Sequence, residues 1–524
     1  MARVLVADPI AEAGILRLRE RAEVDVHLRQ SPAQLRERIP EYEALVVRSE
    51  TRVTAEVIEA GKRLRVIGRA GAGVDNIDMA AATRLGVLVV NAPSGNTVAA
   101  TEHTLALMLA LARHVPQADQ AVKAGRWERA RFVGTELRDK VLGVIGLGNI
   151  GSEVARRAQA FGMQVIAADP VVSEERAAQL NVKTRSVDQV LAEADFVSLH
   201  VPLTPQTHHL INARSLAQAK PGLRLINVAR GGVVDERALW EALRDGRVAG
   251  AALDVFEQEP PGENPLLTHP QVITTPHLGA STEEAQISVA VEVADQVLAV
   301  LEGGLPRFAL NAPVLVPEEM AFLRPYLGVA EGIGRFFARV ARLPATRLQV
   351  DYQGEIAGYD CSILTASVLT AFLSRFSEDR VNPVNARTVA AAHGITVVEQ
   401  RNTRPSEFSN LITLQGSGEH GSNRVAATLL LNEPHIVYFD DFRIDLVPEG
   451  SFLMSWHADR PGVIGAIGTL LGRRNINIAS MQVGRNRPRG DAVMILSVDE
   501  PVPEEVQEEI RRIPGMADVQ SVVL

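Results

Sequence analysis

V-L-G-V-I-G-L-G-N-I-G, from Val141 to Gly151, opens with apolar residues that fit a buried strand and turns through Gly146, Gly148 and Gly151. It then runs into the helical pattern S-E-V-A-R-R-A-Q-A-F-G, which Gly162 stops. A G-x-G-x-x-G between strand and helix is the setting in which the motif binds a dinucleotide. The first glycine permits the tight turn, the second lets the backbone approach a pyrophosphate, and the third lets helix pack on strand. Free amides and the positive end of the helix dipole then face the phosphates. A second strand, Gln164 to Ala168, ends at Asp169, 18 residues past Gly151. A carboxylate there accepts hydrogen bonds from ribose hydroxyls and repels a 2′-phosphate, which favours NAD over NADP. Glycines also serve ordinary turns; strand, helix and acid together select the nucleotide.

Working outward, 524 residues suggest three or four domains of about 100–200 residues each. A net charge of −9 without a dense basic run argues against nucleic acid and anionic membranes as partners. Cys361 is the one cysteine, so neither a disulfide framework nor a cysteine-rich metal site is expected. At the N-terminus V-L-V-A meets Asp8 and Pro9 at once, too short for a signal peptide's apolar core. The apolar run Leu105 to Ala112 falls far below the ~18 residues of a membrane span. A soluble, cytoplasmic protein with no bound metal is expected.

From Ala2 to Val98 short apolar strands alternate with helical patterns, the signature of a parallel sheet covered on both faces. The strands end in Arg48, Arg69 and Asn91, and ligands of open α/β sheets sit beyond such carboxyl ends. Arg48 and Arg69 are candidates for an anionic substrate, because a guanidinium fork matches carboxylate and phosphate; surface ion pairs are the plain alternative. A long apolar helix, Thr101–Arg113, is expected to link two lobes. After the glycine motif, strands end at His200, Ala229, Asp254 and Pro276. Ser281-T-E-E reads as a capping box opening a helix to about Leu301 that returns to the first lobe. Residues 1–98 with 281–310 are thus expected to form a discontinuous substrate domain, and 99–280 a Rossmann-like NAD domain.

In residues 311–450, helical patterns are expected at Met320–Arg342 and Leu364–Phe376. Strands are expected at Ile395–Glu399, Leu411–Gln415, Ala426–Leu431 and His435–Phe439. Asp440 and Asp441 read as turn residues, and His393, His420 and His435 are too scattered for a metal site. Residues 451–524 read as β-α-β-β-α-β, a ferredoxin-like unit whose first helix runs Pro461 to Arg473.

Oxidising a secondary alcohol with a nicotinamide needs a base for the hydroxyl proton, a carboxylate to fix that base's tautomer, and a cation for the substrate. His277 in T-P-H-L-G-A-S-T, Glu259 in D-V-F-E-Q-E-P and Arg230 in N-V-A-R-G-G fit those roles. Each has a plainer alternative: a helix cap, a loop carboxylate, and a pairing of Arg230 with Asp254.

The order G-L-G-N-I-G, Asp169, A-R-G-G, D-V-F-E-Q-E-P-P and P-H-L-G-A-S-T resembles the D-2-hydroxyacid dehydrogenase family. V-R-S-E-T from Val47, G-R-A-G-A-G-V-D-N from Gly68 and W-E-R-A-R-F from Trp127 resemble its phosphoglycerate-oxidising branch in the long form. The resemblance spans the whole chain. It implies two Rossmann-like or flavodoxin-like parallel-sheet lobes, an α+β intervening domain and a C-terminal ferredoxin-like ACT domain. It implies NAD as cofactor, 3-phosphoglycerate as substrate, entry to serine synthesis, and a homotetramer. It assigns Arg230, Glu259 and His277 to catalysis. Around NAD it sets Gly146, Gly148, Asn149, Ile150, Gly151, Asp169, Val201, Val228, Ala229, Arg230, Asp254, His277, Leu278, Gly279, Ala280 and Ala72. At Ala72 some relatives carry threonine, so a hydroxyl contact to the nicotinamide side is missing here. Arg48, Ser49, Arg69 and Gly71 would face the substrate, and Arg129 or Arg131 the neighbouring subunit's phosphate.

In the last domain H-A-D-R-P-G and N-I-N-I-A resemble a serine-binding face, with His457, Asp459, Gly462, Val463 and Asn477 as effector residues and Pro461 at a first helical position. The rival readings are another 2-hydroxyacid dehydrogenase acting on glyoxylate, hydroxypyruvate or 2-oxoglutarate, a non-catalytic NAD-sensing scaffold, and an amino-acid sensor alone.

Overall fold

The computed structural model describes residues 1–304, 306–313, 317–341, 345–377, 380–419 and 421–524, without the side chain of Pro317. Arg342 and His420 lie outside the described residues. Four sheets organise the chain.

The first contains β1 (Ala2–Val6), β2 (Ala22–Val26), β3 (Ala44–Val47), β4 (Val66–Arg69) and β5 (Leu88–Asn91), all parallel, in the order β2-β1-β3-β4-β5. This is the flavodoxin-like order. Its inner strands β3, β4 and β5 are buried almost throughout, which is why they read as nearly unbroken apolar runs, while the edge strand β2 is half open. The helix Glu283–Leu301 covers one face, packing Val289, Val293 and Val297 against Val6, Val46 and Val66. Within it Gln296 is buried, donating to the Asn91 carbonyl at 2.5 Å and accepting from Phe308 N–H at 2.7 Å. Its cap is Thr282, which accepts from Ala285 N–H at 3.2 Å, so the cap falls one residue later than the expected Ser281.

The second sheet contains β6 (Val141–Ile145), β7 (Gln164–Ala168), β8 (Lys183–Thr184), β9 (Phe196–Leu199), β10 (Leu223–Asn227), β11 (Val248–Leu253) and β12 (Val272–Thr274). All seven are parallel, in the order β12-β11-β10-β9-β6-β7-β8. The order reverses between β6 and β9, so the crevice that takes ligands in such sheets opens beyond Ile145 and Leu199. The helix Thr97–Arg113 passes from the end of β5 to this lobe, beginning four residues before the expected start.

The third sheet is mixed: β13 (Arg347–Gly354), β14 (Thr396–Asn402), β15 (Asn410–Gly418), β16 (Gly421–Leu430), β17 (Glu433–Phe439) and β18 (Phe442–Leu446), ordered β14-β13-β15-β16-β17-β18. β13, β18 and the helix Ala386–Ala392 were not expected from sequence. Helices Pro317–Val340 and Ser362–Leu373 pack on it. This unit touches the base of the first sheet: Asn382 donates to the Gly86 carbonyl at 2.7 Å, and Asn385 and Arg380 reach the Arg84 and Leu64 carbonyls at 3.4 Å.

The fourth sheet, β19 (Ser451–Ala458), β20 (Ile478–Arg485), β21 (Asp491–Val498) and β22 (Met516–Val523), is antiparallel in the order β20-β21-β19-β22, the ferredoxin-like arrangement. Its first helix is Val463–Arg473, capped by Gly462 at φ +97°; Pro461 therefore stands in the preceding turn and not at the first helical position. No helix among the described residues is long and apolar enough to cross a membrane.

Candidate active site

The glycine loop after β6 has the geometry a pyrophosphate requires. Gly146 sits at φ +93°, where a Cβ would strike the His200 carbonyl oxygen. A Cβ on Gly151 would overlap the Gly146 carbonyl, so glycine alone lets the helix Asn149–Ala160 lie this close to β6. At Gly148 a Cβ would meet no protein atom within 4 Å. The open space lies at the one glycine meant to face a phosphate, at the N-terminus of that helix, so these residues fit the cofactor. Asp169 stands at the end of β7. Its carboxylate accepts from Leu147 N–H at 2.7 Å, Val171 N–H at 2.8 Å and Val172 N–H at 3.1 Å, which ties the glycine loop to the β7 edge.

Beyond β10, Asn227 shapes the turn that carries Val228, Ala229 and Arg230: it accepts from Ala229 N–H at 3.0 Å and donates to the Arg230 carbonyl at 2.8 Å. Beyond β11, Asp254 is fully buried. Burial alone would raise its carboxyl, but hydrogen bonds from His103, Thr275 and Leu278 outweigh that and hold it below the ordinary value. Arg230 does not pair with it. Instead Arg230 Nε lies 3.1 Å from Asp75 Oδ2, an ion pair that crosses from the second lobe to the first.

Across the cleft, Arg69 at the end of β4 lies over Gly71, where a Cβ would overlap its guanidinium, and Arg230 lies in the same way over Gly73. Burial, then the charges of Arg230 and Arg48, pull Arg69 down to about 10, and its Nε is buried without a hydrogen-bond partner. Three guanidinium groups from the two lobes thus lie close enough for Arg230 and Arg48 to act on Arg69, with Asp75 and Asp8 nearby, the electrostatics of a site for a polyanion. Arg48 is held by its backbone: its N–H donates to Asp8 at 2.6 Å, and Thr51 N–H donates to the same carboxylate at 3.1 Å. Ser49 is exposed beside it, and Ala72 accepts from Asn91 Nδ2 at 2.6 Å.

In the second lobe His277 Nδ1 is 2.8 Å from Glu259 Oε2, while Glu259 Oε1 accepts from Phe256 N–H at 3.1 Å. The Glu259 carboxyl is lowered: burial pushes it up, and the imidazole pulls it down further. Nδ1–H donating to a carboxylate leaves Nε2 as the proton acceptor, and both side chains are about half exposed (48% and 40%).

Arg129 and Arg131 stand exposed on the turn Arg129–Phe132, where Arg131 pairs with Glu128 at 3.3 Å; no hydrogen bond or ion pair joins them to the cleft among the described residues. In the last domain His457 is buried with Nδ1 unpartnered, and Asp459 accepts from Arg489 N–H at 2.9 Å and pairs with Arg485 at 3.3 Å. Val463 is buried behind Gly462. Asn477 bonds Asp499 at 2.9 Å at the other end of β20, roughly 25 Å from the Asp459 end at ~3.3 Å per residue, so one chain does not bring the expected effector set together. Among the described residues no cluster of three His, Cys, Asp or Glu side chains could hold a metal.

Sequence reading missed Asp8, Asp75, His103 and Asn227 as parts of the site. Asp8 carried a usable signal, an acid at the carboxyl end of β1 in the way Asp169 ends β7. Asp75 and His103 find their partners only through folding.

Family comparison matches residues 105–279 to the NAD-binding domain of D-isomer specific 2-hydroxyacid dehydrogenases, 322–439 to the D-3-phosphoglycerate dehydrogenase intervening domain, and 453–515 to the ACT domain. The chain is 48% identical over 526 residues to a D-3-phosphoglycerate dehydrogenase of Synechocystis, covering all of this chain and 95% of that one. It is 44% identical to that of Archaeoglobus fulgidus and 42% to that of Bacillus subtilis, with full coverage of both chains in each case. Among solved structures, a Thermus thermophilus protein superposes with a TM-score of 0.55 at 39% identity, over 59% of this chain and 99% of that one. A D-lactate dehydrogenase of Aquifex aeolicus, solved with NAD and lactic acid, gives 0.53 at 30% identity, over 57% and 96%. With likeness running through every domain and along the full length of its relatives, the chain belongs to the D-3-phosphoglycerate dehydrogenase family.

Proposed function

We propose that the chain oxidises 3-phospho-D-glycerate to 3-phosphohydroxypyruvate with NAD, the first step of L-serine formation, as a cytoplasmic homotetramer. The observations that carry this are the His277–Glu259 pair at 2.8 Å in the second lobe and the gathering of Arg48 and Arg69 of the first lobe with Arg230 of the second. Residues 1–98 with 281–310 form the substrate domain in this reading, 99–280 the NAD domain, 311–450 the intervening domain and 451–524 the ACT domain.

NAD, when bound along Gly146–Gly151, Asp169, Val201, Val228, Ala229 and the Leu278–Ala280 loop beside Ala72, supplies the hydride acceptor. His277 Nε2 takes the proton of the substrate's C2 hydroxyl as the C2 hydride departs, leaving a carbonyl. Glu259, bonded to Nδ1–H, keeps the imidazole in the right tautomer and stabilises the imidazolium. Arg230 holds the carboxylate at C1, and Arg48 and Arg69, with Ser49 and the Gly71 backbone, take the phosphate. In reverse the imidazolium returns its proton while Arg230 steadies the oxoacid. The test is the rise of reduced-nicotinamide absorbance with 3-phosphoglycerate, run beside glyoxylate, hydroxypyruvate and 2-oxoglutarate with the reduced cofactor. Turnover of one of the latter without the former would overturn the substrate assignment.

L-serine is the proposed effector of the ACT domain, supported by the unpartnered Nδ1 of buried His457 next to the Gly462-capped helix. One chain offers His457, Asp459, Gly462 and Val463 for it, and Asn477 joins only when two such domains pair. Serine titration without binding or inhibition would remove this role.

A further inference from the structure

The helix that crosses between the lobes, Thr97–Arg113, carries His103 midway along its length. Its imidazole Nε2 lies 3.2 Å from Asp254 Oδ1 and 3.2 Å from Thr275 Oγ1. Asp254 in turn grips the segment that bears His277. Its carbonyl accepts His277 N–H at 2.9 Å, its Oδ1 accepts Leu278 N–H at 2.8 Å, and its Oδ2 accepts Gly279 N–H at 2.9 Å. Three successive amides close on one residue at a point where His277 stands at φ +56°, a conformation that residues with a side chain seldom adopt. The backbone that aims the imidazole at the cleft is therefore imposed by Asp254 rather than by local preference.

A fully buried carboxylate can impose that geometry only while its own charge is met by donors. Oδ1 receives Thr275 Oγ1–H at 2.5 Å and the Leu278 amide; the remaining donor is His103, and it alone comes from the interlobe helix. We propose that His103, by donating Nε2–H to Asp254, is a positioning residue for the proton transfer at His277. The inference rests on the acid–base role given to His277 above. It deepens that role by linking the helix between the lobes to the catalytic loop through the contacts of one imidazole with Asp254 and Thr275.

Two polar variants test it in the full-length chain. H103N keeps an amide but draws the donor short of Asp254, whereas H103Q carries an N–H near the position of the imidazole Nε2. In the absence of nucleotide, amide exchange at Leu278 and Gly279 should quicken about tenfold in H103N and return to within about threefold of the parent in H103Q. With NAD and 3-phosphoglycerate, kcat should fall about tenfold in H103N with KM for 3-phosphoglycerate within about twofold, and recover in H103Q. Unchanged exchange, unchanged kcat, or a glutamine variant no better than asparagine would each overturn the proposal. The exchange readout needs no turnover, so it stands or falls separately from the substrate assignment.

Discussion

Two alanines, placed three residues apart in the same loop, should have opposite consequences. At Gly151 an added Cβ overlaps the Gly146 carbonyl, so the helix Asn149–Ala160 must move off β6. Overpacking of this kind costs about 1–3 kcal/mol, and Gly151→Ala should lower the melting temperature accordingly. At Gly148 the backbone stands at φ −73°, open to any residue, and a Cβ touches no protein atom. Gly148→Ala should leave folding within about 0.5 kcal/mol of the parent, as for other substitutions that disturb no packing. Yet the methyl would stand where the pyrophosphate must approach the amides. Losing even one charge-assisted amide contact, worth about 1.5–3 kcal/mol, weakens NAD roughly ten- to hundredfold. Thermal unfolding and calorimetric titration with NAD separate the two effects. A Gly148→Ala chain that binds NAD as the parent does would refute the reading of this loop as a phosphate cradle.

His277→Ala should reduce turnover by at least about a thousandfold while NAD binds within about twofold, since the imidazole acts on the substrate proton; lost NAD affinity instead would misassign the residue. Asp169→Ala should raise kcat/KM with NADP relative to NAD, and it should also loosen the loop through the lost Leu147 bond; an unaltered ratio would contradict the ribose role. Because the Glu259 carboxyl is held below its ordinary 4.5 in the folded chain, its ionisation adds stability above that pH, and the gain is lost as pH falls through the lowered value. The melting temperatures of parent and Glu259→Gln should therefore differ at pH 6 and converge on acidification; a gap that widens in acid would reverse the sign.

The parallel lobes were legible because their inner strands are short, buried apolar runs, and the glycines because each meets a separate steric demand. β13 was missed even though R-L-Q-V-D-Y-Q-G buries every second residue, a period-two pattern interrupted by charge on its half-open face. β18, F-R-I-D-L, repeats that error on a shorter run. Helix ends slipped by a few residues where the cap was read from a motif: Thr282, not Ser281, and Gly462, not Pro461. In the site, the motifs around Glu259 and His277 pointed to two side chains that do meet, at 2.8 Å, while Arg230 pairs with Asp75. What the motifs could not give was the more distant company: Asp75 lies 155 positions from Arg230, and His103 lies 151 from Asp254.

The asparagine contacts at the foot of the first sheet bear on how the cleft can open. Asn382 and Asn385 fasten onto carbonyls just ahead of β5, and Arg380 onto one just ahead of β4, at the edge opposite Arg69. Between the two nucleotide-fold lobes, by contrast, Asp75 and Arg230 form a partly solvated ion pair, a link worth about 1 kcal/mol or less. Weak coupling on one side and anchorage on the other divide the moving parts unequally. Any parting of the two lobes that keeps these anchoring bonds would carry the third sheet along with the first.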